Sequence, residues 1–543
     1  MVDSDDIEVL SSAARNAFIL SVGDFIYNAV LAVGAIAIAR LLGSEGYGIY
    51  SLTFVVPLTL YSFINLGLDT ATTRFTKLYL VERKFGMAIG AVRTSLILKG
   101  LIGVIGSSIC FFYARPLATL LIGRPELDRY VMFASIAIIL ESLYTSILSI
   151  FIGFEEVWRS SAIKVAYSIS RTAIAIALLA VGLQVPGAIA GYLAGLTLSV
   201  SIGLLFLASI TKRVTYTGSS GVAIGGFYIA RELVLYSLPL YTASLVNSIT
   251  ALYQNILLAY TLSNAEIGGY RALLNLQTLV LVILNPITVS LLPMFTNMSS
   301  SRGGEKLSTA LARSNRYVAA VVVPLTLLST VYSQEIIYVL YGAEYRFASA
   351  YLPLIFAPFL LAGLGSATIP QLFNALGKTK LNMYIMLTST AILIPTSYIL
   401  TVAMGYRLWG FLTSNIVVAI ASTILYNIAL IKSLGSYINI WRTIPIYIAS
   451  LAALPAALLP LSIPLPKPIT LLRIVVGGAM YISAYIILST VFKAIREQDV
   501  EFFIDVFTGI PVVNSIVKPL ATAVLKLMKA VNTLLYYFKH SSR

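Results

Sequence analysis

Long apolar stretches alternate with short polar breaks along almost the whole chain. A helix needs about 20 predominantly apolar residues to cross the roughly 30 Å hydrocarbon core of a bilayer. About 14 stretches approach this length, at approximately residues 17–39, 47–68, 88–111, 131–153, 162–182, 187–209, 233–259, 270–293, 316–333, 350–374, 381–403, 408–431, 444–463 and 470–492. The pattern predicts an all-α integral membrane protein with about 14 transmembrane helices.

The composition excludes most catalytic classes. Hydrophobic residues make up 58% and charged residues 11% of the 543 positions, whereas soluble domains carry about 25% charged residues. One cysteine, Cys110, and one histidine, His540, are present. They do not suffice for disulfide frameworks, Cys/His zinc sites, Ser-His-Asp triads or haem ligation. We therefore expect no metal, no cofactor and no enzymatic activity.

The distribution of positive charge predicts the orientation in the membrane. The net charge is +15, and most lysines and arginines fall in the breaks on the side of the amino terminus. Cytoplasmic loops carry such an excess, so both termini are expected in the cytoplasm of a cell with the chain in its cell membrane. The basic face is expected to meet anionic lipids rather than nucleic acid. The first ten residues are acidic, so no cleavable signal peptide is expected.

An internal repeat relates the first six apolar segments to the next six. Residues recur 220 positions apart, and the matches are Ala39, Leu42, Gly48, Tyr50 and Asn65 with Ala259, Leu262, Gly268, Tyr270 and Asn285. Because six is even, both copies enter the membrane in the same direction. The sequence thus predicts two parallel six-helix repeats plus two extra helices, with a substrate site at the repeat interface.

This organisation predicts six regions of the chain. They are a cytoplasmic amino-terminal segment (1–16), a first lobe (17–209), a cytoplasmic linker (210–232), a second lobe (233–431), two extra helices (432–493) and a basic amphipathic cytoplasmic tail (494–543). The tail is expected either to lie on the membrane surface or to form a short re-entrant pair.

Three short stretches carry a family resemblance. Residues 39–50 read ARLLGSEGYGIY, residues 235–240 read LYSLPL and residues 338–345 read YVLYGAEY. These stretches resemble the polysaccharide-exporter flippases (Wzx type) of the multidrug/oligosaccharidyl-lipid/polysaccharide (MOP) superfamily. The resemblance implies two lobes around a central cavity and movement of an isoprenoid-linked sugar across the membrane by alternating access. Lipid II flippases of the MurJ type place arginines inside the first helix, whereas residues 22–39 contain none, which argues against that branch.

Asp24 and Asn28 are candidates for a coupling-ion site. They lie one turn apart in the first apolar segment, where an acidic side chain is costly unless it faces a cavity or a partner. A desolvated carboxylate can exchange protons with a gradient. The alternative is a hydrogen-bonded patch that packs helices together.

Glu141 and Arg171 fall near the middle of the fourth and fifth segments, which run antiparallel. They are expected at the same depth, where they could form an ion pair kept only for structure. Alternatively, Glu141 is a second coupling-ion candidate. Arg171, with Lys164 and Ser168 on the same helix face, would then bind a diphosphate in bidentate fashion.

A polar stripe runs along the eighth segment. Its members are Arg271, Asn275, Thr278 and Asn285, and Asn65 is the equivalent of Asn285 in the first copy. Such a stripe can bind sugar hydroxyls and phosphates along a cavity wall, or it can supply hydrogen bonds between helices.

Together these features predict a flippase. It would move a lipid-linked (isoprenoid diphosphate or phosphate) oligosaccharide from the cytoplasmic to the outer face, for surface polysaccharide or glycoprotein assembly. Its expected partners are that substrate, membrane lipids and a coupling proton or sodium ion. A cation-coupled multidrug extruder of the same superfamily is the alternative. A membrane-embedded glycosyltransferase is a third hypothesis, but the outer loops are short and carry few acidic residues.

Overall fold

The computed structural model describes residues 4–217, 226–300, 304–435, 440–462, 470–495, 500, 518–519 and 521–533. The chain forms two compact units, Met1–Asn275 and Leu276–Arg543. The lobe boundaries expected from the sequence remain predictions.

Helices account for the regular structure of the described residues, in which no strand occurs. The α-helices are α1 (Ser4–Ile64), α2 (Leu68–Val81), α3 (Phe85–Phe112), α4 (Ala114–Ile122), α5 (Asp128–Ala134), α6 (Ile136–Gly153), α7 (Val157–Ala180), α8 (Gln184–Thr217), α9 (Gly226–Thr261), α10 (Asn264–Ser300), α11 (Gly304–Val331), α12 (Ser333–Tyr341), α13 (Leu352–Phe356), α14 (Ile369–Ala375), α15 (Thr379–Tyr398), α16 (Arg407–Leu434), α17 (Ile444–Ala452), α18 (Leu454–Ser462) and α19 (Thr470–Val491). Short 3₁₀ turns occupy Pro125–Leu127, Ala343–Tyr351, Ala357–Leu364 and Ile440–Arg442, and a π-helical turn occupies Ile399–Ala403.

The described helices confirm an all-α membrane protein. Eleven are long and apolar enough to cross a membrane, or up to 12 if one bent pair within Gly226–Thr261 counts as a single span. The first, Phe18–Ile64, is 47 residues long and contains two predicted segments. They are separated at Gly43, whose φ of 69° and ψ of 174° interrupt the helix. The expected total of about 14 spans remains a prediction.

Glycines allow close packing of α1, α7 and α8 in the first unit. A Cβ placed on Gly195 of α8 would lie 2.7 Å from the Cβ of Arg171 on α7, and one on Gly191 would lie 2.5 Å from the Cα of Ala175. On α1, Gly23 packs in the same way against Ser161. The backbone of α7 is therefore fixed on two sides, which positions the side chains that it carries.

A reciprocal glycine contact joins the two predicted repeats within the first unit. A Cβ on Gly48 would overlap the carbonyl oxygen of Asn264, and a Cβ on Gly268 would overlap that of Ser44. Gly48 and Gly268 are repeat equivalents, and so are Ser44 and Asn264. Contacts that exchange partners in this way are those expected around a two-fold axis. The arrangement supports the repeat interpretation.

The second predicted segment, 47–68, ends close to the break that separates α1 from α2, but the apolar pattern does not indicate α2 itself. Leu66 and Gly67 have φ values of 52° and 67°, a left-handed conformation that ends the first helix. α2 then resumes at Leu68 and packs against α3 and α6. Its sequence, LDTATTRFTKLYLV, is too polar to be recognised as a membrane segment.

In the second unit, one predicted segment is not a continuous α-helix. Residues 350–374 are divided among the end of one 3₁₀ turn, α13, a second 3₁₀ turn and α14. Pro353 and Pro358 lie at the start of two of these pieces, where they remove backbone donors. Gly365, with φ of 85°, ends the second 3₁₀ turn.

The described part of the carboxyl-terminal tail packs on protein. Ala521 and Met528 are buried in one apolar cluster with Tyr481 and Tyr485 of α19. The apolar side of this part of the tail therefore contacts α19. Whether the tail as a whole lies on the membrane surface or forms a re-entrant pair stays a prediction, because residues 496–499, 501–517, 520 and 534–543 lie outside the described residues.

We predict that Gly48→Ala destabilises the protein by about 1–3 kcal/mol, the usual cost of overpacking. The added methyl group would meet a backbone carbonyl that cannot move independently. The control is Gly100→Ala, because the nearest atom to its new methyl group would be 3.9 Å away, on Leu143. Alanine is otherwise favoured over glycine in a helix. The melting temperature in detergent should fall only for the first variant, and equal melting temperatures would contradict the close contact.

Candidate functional site

A cavity in the first unit brings two arginines together. It has a volume of about 360 Å³, and its polar lining includes Arg171 of α7 and Arg271 of α10. The remaining lining residues come from α1, α8 and α9, and they are Tyr47, Tyr50, Ser51, Phe54, Val55, Leu58, Thr59, Ser62, Tyr192, Ser248, Ala251 and Asn255. A concave site with a few converging polar groups is typical of ligand binding.

Tyrosines hold the guanidinium of Arg171. Its Nη1 donates to the hydroxyl of Tyr167 and its Nη2 donates to the hydroxyl of Tyr50, both at 3.2 Å. The Cζ atom of Arg171 lies 4.5 Å from the ring centroid of Tyr192, a cation–π contact. Because a guanidinium has five N–H donors, these two hydrogen bonds leave donors for a ligand.

Glu141 reaches Arg171 through Tyr192 rather than directly. The hydroxyl of Tyr192 donates to Oε1 of Glu141 at 2.5 Å, while the ring of Tyr192 faces the guanidinium. No Glu141–Arg171 ion pair within 4.0 Å occurs among the described residues. Of the two alternatives, the direct ion pair is therefore not formed, because Tyr192 contacts both charges and lies between them.

The second arginine is held by an amide. Nη2 of Arg271 donates to Oδ1 of Asn255 at 2.6 Å, and its Nε is buried with no hydrogen-bond partner in the part of the chain described. Nδ2 of Asn275 donates to the hydroxyl of Tyr47 at 2.8 Å. Tyr47 lines the cavity, so Asn275 supports the cavity wall.

Asp24 is paired with a lysine. Nζ of Lys164 lies 2.7 Å from Oδ1 of Asp24, and 47% of the Asp24 side chain is exposed. Nδ2 of Asn28 donates to the backbone carbonyl of Asp24 at 2.7 Å. The candidate coupling residues Asp24 and Asn28 thus contact each other, but Lys164 is engaged with Asp24 and does not line the cavity with Arg171.

The other predicted cavity residues lie elsewhere. Ser168 is buried and donates to the backbone carbonyl of Val165 at 2.9 Å, so its hydroxyl is hydrogen-bonded within its own helix. Oδ1 of Asn65 accepts a hydrogen bond from Lys99. Thr278 belongs to the second unit, and the side chain of Asn285 lies outside the described residues.

The tyrosines around the cavity were not predicted from the sequence. Tyr47, Tyr50, Tyr167 and Tyr192 come from α1, α7 and α8 and form a chain of ring contacts with Phe54. The abundance of tyrosine, 33 residues against 3 tryptophans, was the available signal. A buried tyrosine hydroxyl needs a polar partner, so tyrosines in apolar segments mark the polar side of a helix.

A comparison with protein families identifies the family of this chain. A profile of the family described as "Polysaccharide biosynthesis protein" matches residues 13–299, more than half of the 543 residues. The chain belongs to this family. Comparison with curated proteins gives no match. The matched region includes the whole cavity described above, so the cavity is built from the family region of the chain.

Solved structures of MOP transporters share the fold of this family member. The lipid II flippase MurJ in an inward closed conformation aligns with a TM-score of 0.66 at 16% identity, covering 87% of this chain and 98% of that chain. A multidrug resistance MATE family transporter of the MOP superfamily, inward-facing, aligns with a TM-score of 0.62 at 17% identity, covering 77% of this chain and 99% of that chain. These identities establish the fold alone. The fold and the family implied by the sequence resemblance are thereby confirmed.

We predict that Tyr192→Phe destabilises the protein by about 1–3 kcal/mol, because the partly buried carboxylate of Glu141 loses its hydrogen bond. The phenyl ring keeps the stacking surface for Arg171. Tyr144→Phe is the matched control, because its buried hydroxyl has no hydrogen-bond partner among the described residues. Thermal melting in detergent should separate the two variants. A Tyr192→Phe protein as stable as the control would show that the Glu141 hydrogen bond contributes nothing to folding.

Proposed function

We propose that the protein flips a lipid-linked oligosaccharide from the cytoplasmic to the outer face of the cell membrane by alternating access. The family, the MOP transporter fold and the basic cavity support this function. The substrate carries an isoprenoid diphosphate or phosphate, whose charge the cavity would receive and whose lipid would remain in the bilayer. Both termini are proposed to be cytoplasmic, on the basic side of the membrane.

The observation that carries the proposal is the convergence of Arg171 and Arg271 on one cavity. They lie on predicted segments five and eight, and thus come from the two repeats. Guanidinium groups bind phosphate through paired N–H donors. Hydroxyl groups of Ser51, Thr59 and Ser62 line the same space and offer hydrogen bonds to sugar hydroxyls.

The charge of the cavity disfavours the multidrug alternative. None of the residues that line this cavity is acidic, and Glu141 lies behind Tyr192. Two guanidinium groups without a facing carboxylate repel a cationic drug and attract an anion, most strongly where water is excluded. An anionic lipid headgroup therefore fits this site better than an amphipathic cation does.

We predict that Arg171→Ala and Arg271→Ala each lower flipping by about tenfold or more, because each removes a charged hydrogen-bond donor worth about 1.5–3 kcal/mol. Arg171→Lys should restore only part of the rate, since lysine lacks the planar fork. Flipping is measured in proteoliposomes with a fluorescent lipid-linked oligosaccharide.

The matched control for these variants is Arg93→Ala, which removes an exposed arginine of α3 outside the cavity. It should flip at the wild-type rate. Full transport by both cavity variants would refute phosphate binding by these arginines. Transport of a neutral glycolipid that is equally impaired would assign them to structure instead.

We propose that energy coupling uses Asp24. Its ion pair with Lys164 joins α1 to α7, so a change in the charge of this site would remove one polar contact between these two packed helices. Such a group biases the two access states only if its protonation or cation occupancy differs between them. Asn28 keeps the Asp24 backbone in place.

We expect the double variant Asp24→Asn, Lys164→Gln to fold and bind substrate but to flip without response to an imposed gradient. The lysine is changed together with the aspartate so that neither charge is left without its partner. Proton and sodium gradients are applied separately in proteoliposomes, with the exposed Glu126→Gln as control. A gradient response that persists in the double variant would leave Asp24 a packing residue and move coupling to Glu141.

A further inference from the structure

Lys99 is a fully buried lysine that the proposed transport mechanism does not use. It lies on α3, and its side chain has 0% exposure. A charged side chain within a membrane helix is costly and needs a partner or a water-filled space. An ammonium group carries three hydrogen-bond donors and no acceptor, so three oxygen atoms satisfy it.

Three oxygens lie near this ammonium, one from the break between α1 and α2 and two from the first turn of α2, and two of the three accept hydrogen bonds from it. Nζ of Lys99 lies 3.0 Å from each carboxylate oxygen of Asp69 and also donates to Oδ1 of Asn65. The backbone turns between them at Leu66 and Gly67, both in the left-handed region. The turn brings the amide and the carboxylate to the same point.

A carboxylate and an amide oxygen at a broken helix are ligands suited to a hard cation. We propose that Asn65 and Asp69 form a monovalent-cation site whose resident cation is the ammonium of Lys99, tethered by its own side chain. The negative charge of Asp69, beside the break at the end of the second predicted segment, is therefore neutralised by Lys99 of the protein itself. Removing the lysine charge should open the site to a free alkali cation. This inference does not depend on the identity of the transported substrate.

Hydroxyl contacts hold the walls of this site independently of the lysine side chain. The hydroxyls of Thr72 on α2 and Ser95 on α3 are 2.7 Å apart, and that of Ser95 is 3.0 Å from Ser146 on α6. Ser142 of α6 donates to the backbone carbonyl of Lys99 at 3.0 Å. Three helices are thus joined beside the break, and these bonds remain when Lys99 is replaced.

The test is cation-dependent stability of Lys99→Met, which keeps the length of the side chain and removes its charge. Folded yield and melting temperature are measured in detergent with sodium chloride, potassium chloride or choline chloride at equal ionic strength. We expect a saturable rise of several degrees, or recovery of folded protein, in an alkali salt only. The wild type and Arg93→Met, an exposed charge loss on the same helix, should show no such specificity.

The second part of this experiment measures the double variant Asp69→Asn, Lys99→Met in the same three salts. It removes both charges, so it should fold without an alkali cation and lose the cation response. Behaviour of Lys99→Met that is identical in all three salts, including failure to fold in each, would overturn the proposal. An alkali response that survives in the double variant would overturn it too, because the Asp69 carboxylate would then not be a ligand.

Discussion

The lack of water in the hydrocarbon core is the constraint on which the first unit depends. There, each buried charge must be satisfied by the protein itself. Lys99 is satisfied by Asp69 and Asn65, and Arg171 by tyrosine hydroxyls and a ring face. Most of these partners come from another helix or from a helix break, and only Tyr167 lies on the same helix as the charge it contacts, so the packing of the helices determines whether each charge is satisfied.

Close helix packing brings the partner side chains within hydrogen-bonding distance of these charges. Gly195 places α8 against the backbone of Arg171, so Tyr192, three residues earlier on α8, reaches the guanidinium. Gly48 and Gly268 bring α1 against the start of α10, and Arg271 follows three residues after that contact. Small residues at helix crossings therefore determine where the long side chains meet. Changing a glycine at such a crossing affects a site that it does not touch.

The sequence predicted the features that depend on local pattern. Apolar runs of helical length located the described spans, and the repeat at Gly48 and Gly268 matches a reciprocal contact. Arg171 and Arg271 were identified because charges within apolar segments are rare. Their partners could not be predicted in the same way, because which tyrosines face which arginine depends on the rotation and crossing of helices far apart in the chain. Tyr192 between Glu141 and Arg171 is the clearest case.

The role of Asp69 beside the break before α2 could not be predicted for a related reason. Asp69 lies at the end of an apolar run, where an acidic residue ordinarily marks a loop. Only the contact with Lys99, 30 residues away on α3, makes it part of the membrane-spanning structure. A sequence pattern interprets a polar residue from the residues next to it in the chain, whereas the partner of Asp69 lies on another helix. Buried charges are therefore found more easily than the residues that neutralise them.

The second unit uses polar side chains for a different purpose. Repeat spacings of 219–224 carry Glu141 into residues 360–365, which are uncharged and begin within the 3₁₀ turn Ala357–Leu364. There the hydroxyl of Tyr447 accepts from the N–H of Gly363 and donates to the carbonyl of Leu360, and Asn427 donates to the carbonyl of Leu364.

Neutral side chains in this part of the second unit thus satisfy an irregular backbone, whereas in the first unit they hold charges. Both uses answer the same requirement, since an unpaired backbone group and an unpaired charge are each costly without water. The two copies of a duplicated helical repeat can therefore differ in what their equivalent stretches require. In the first copy the stretch around Glu141 carries a charge held by Tyr192, whereas the equivalent residues 360–365 of the second copy are uncharged, and polar side chains there satisfy backbone groups.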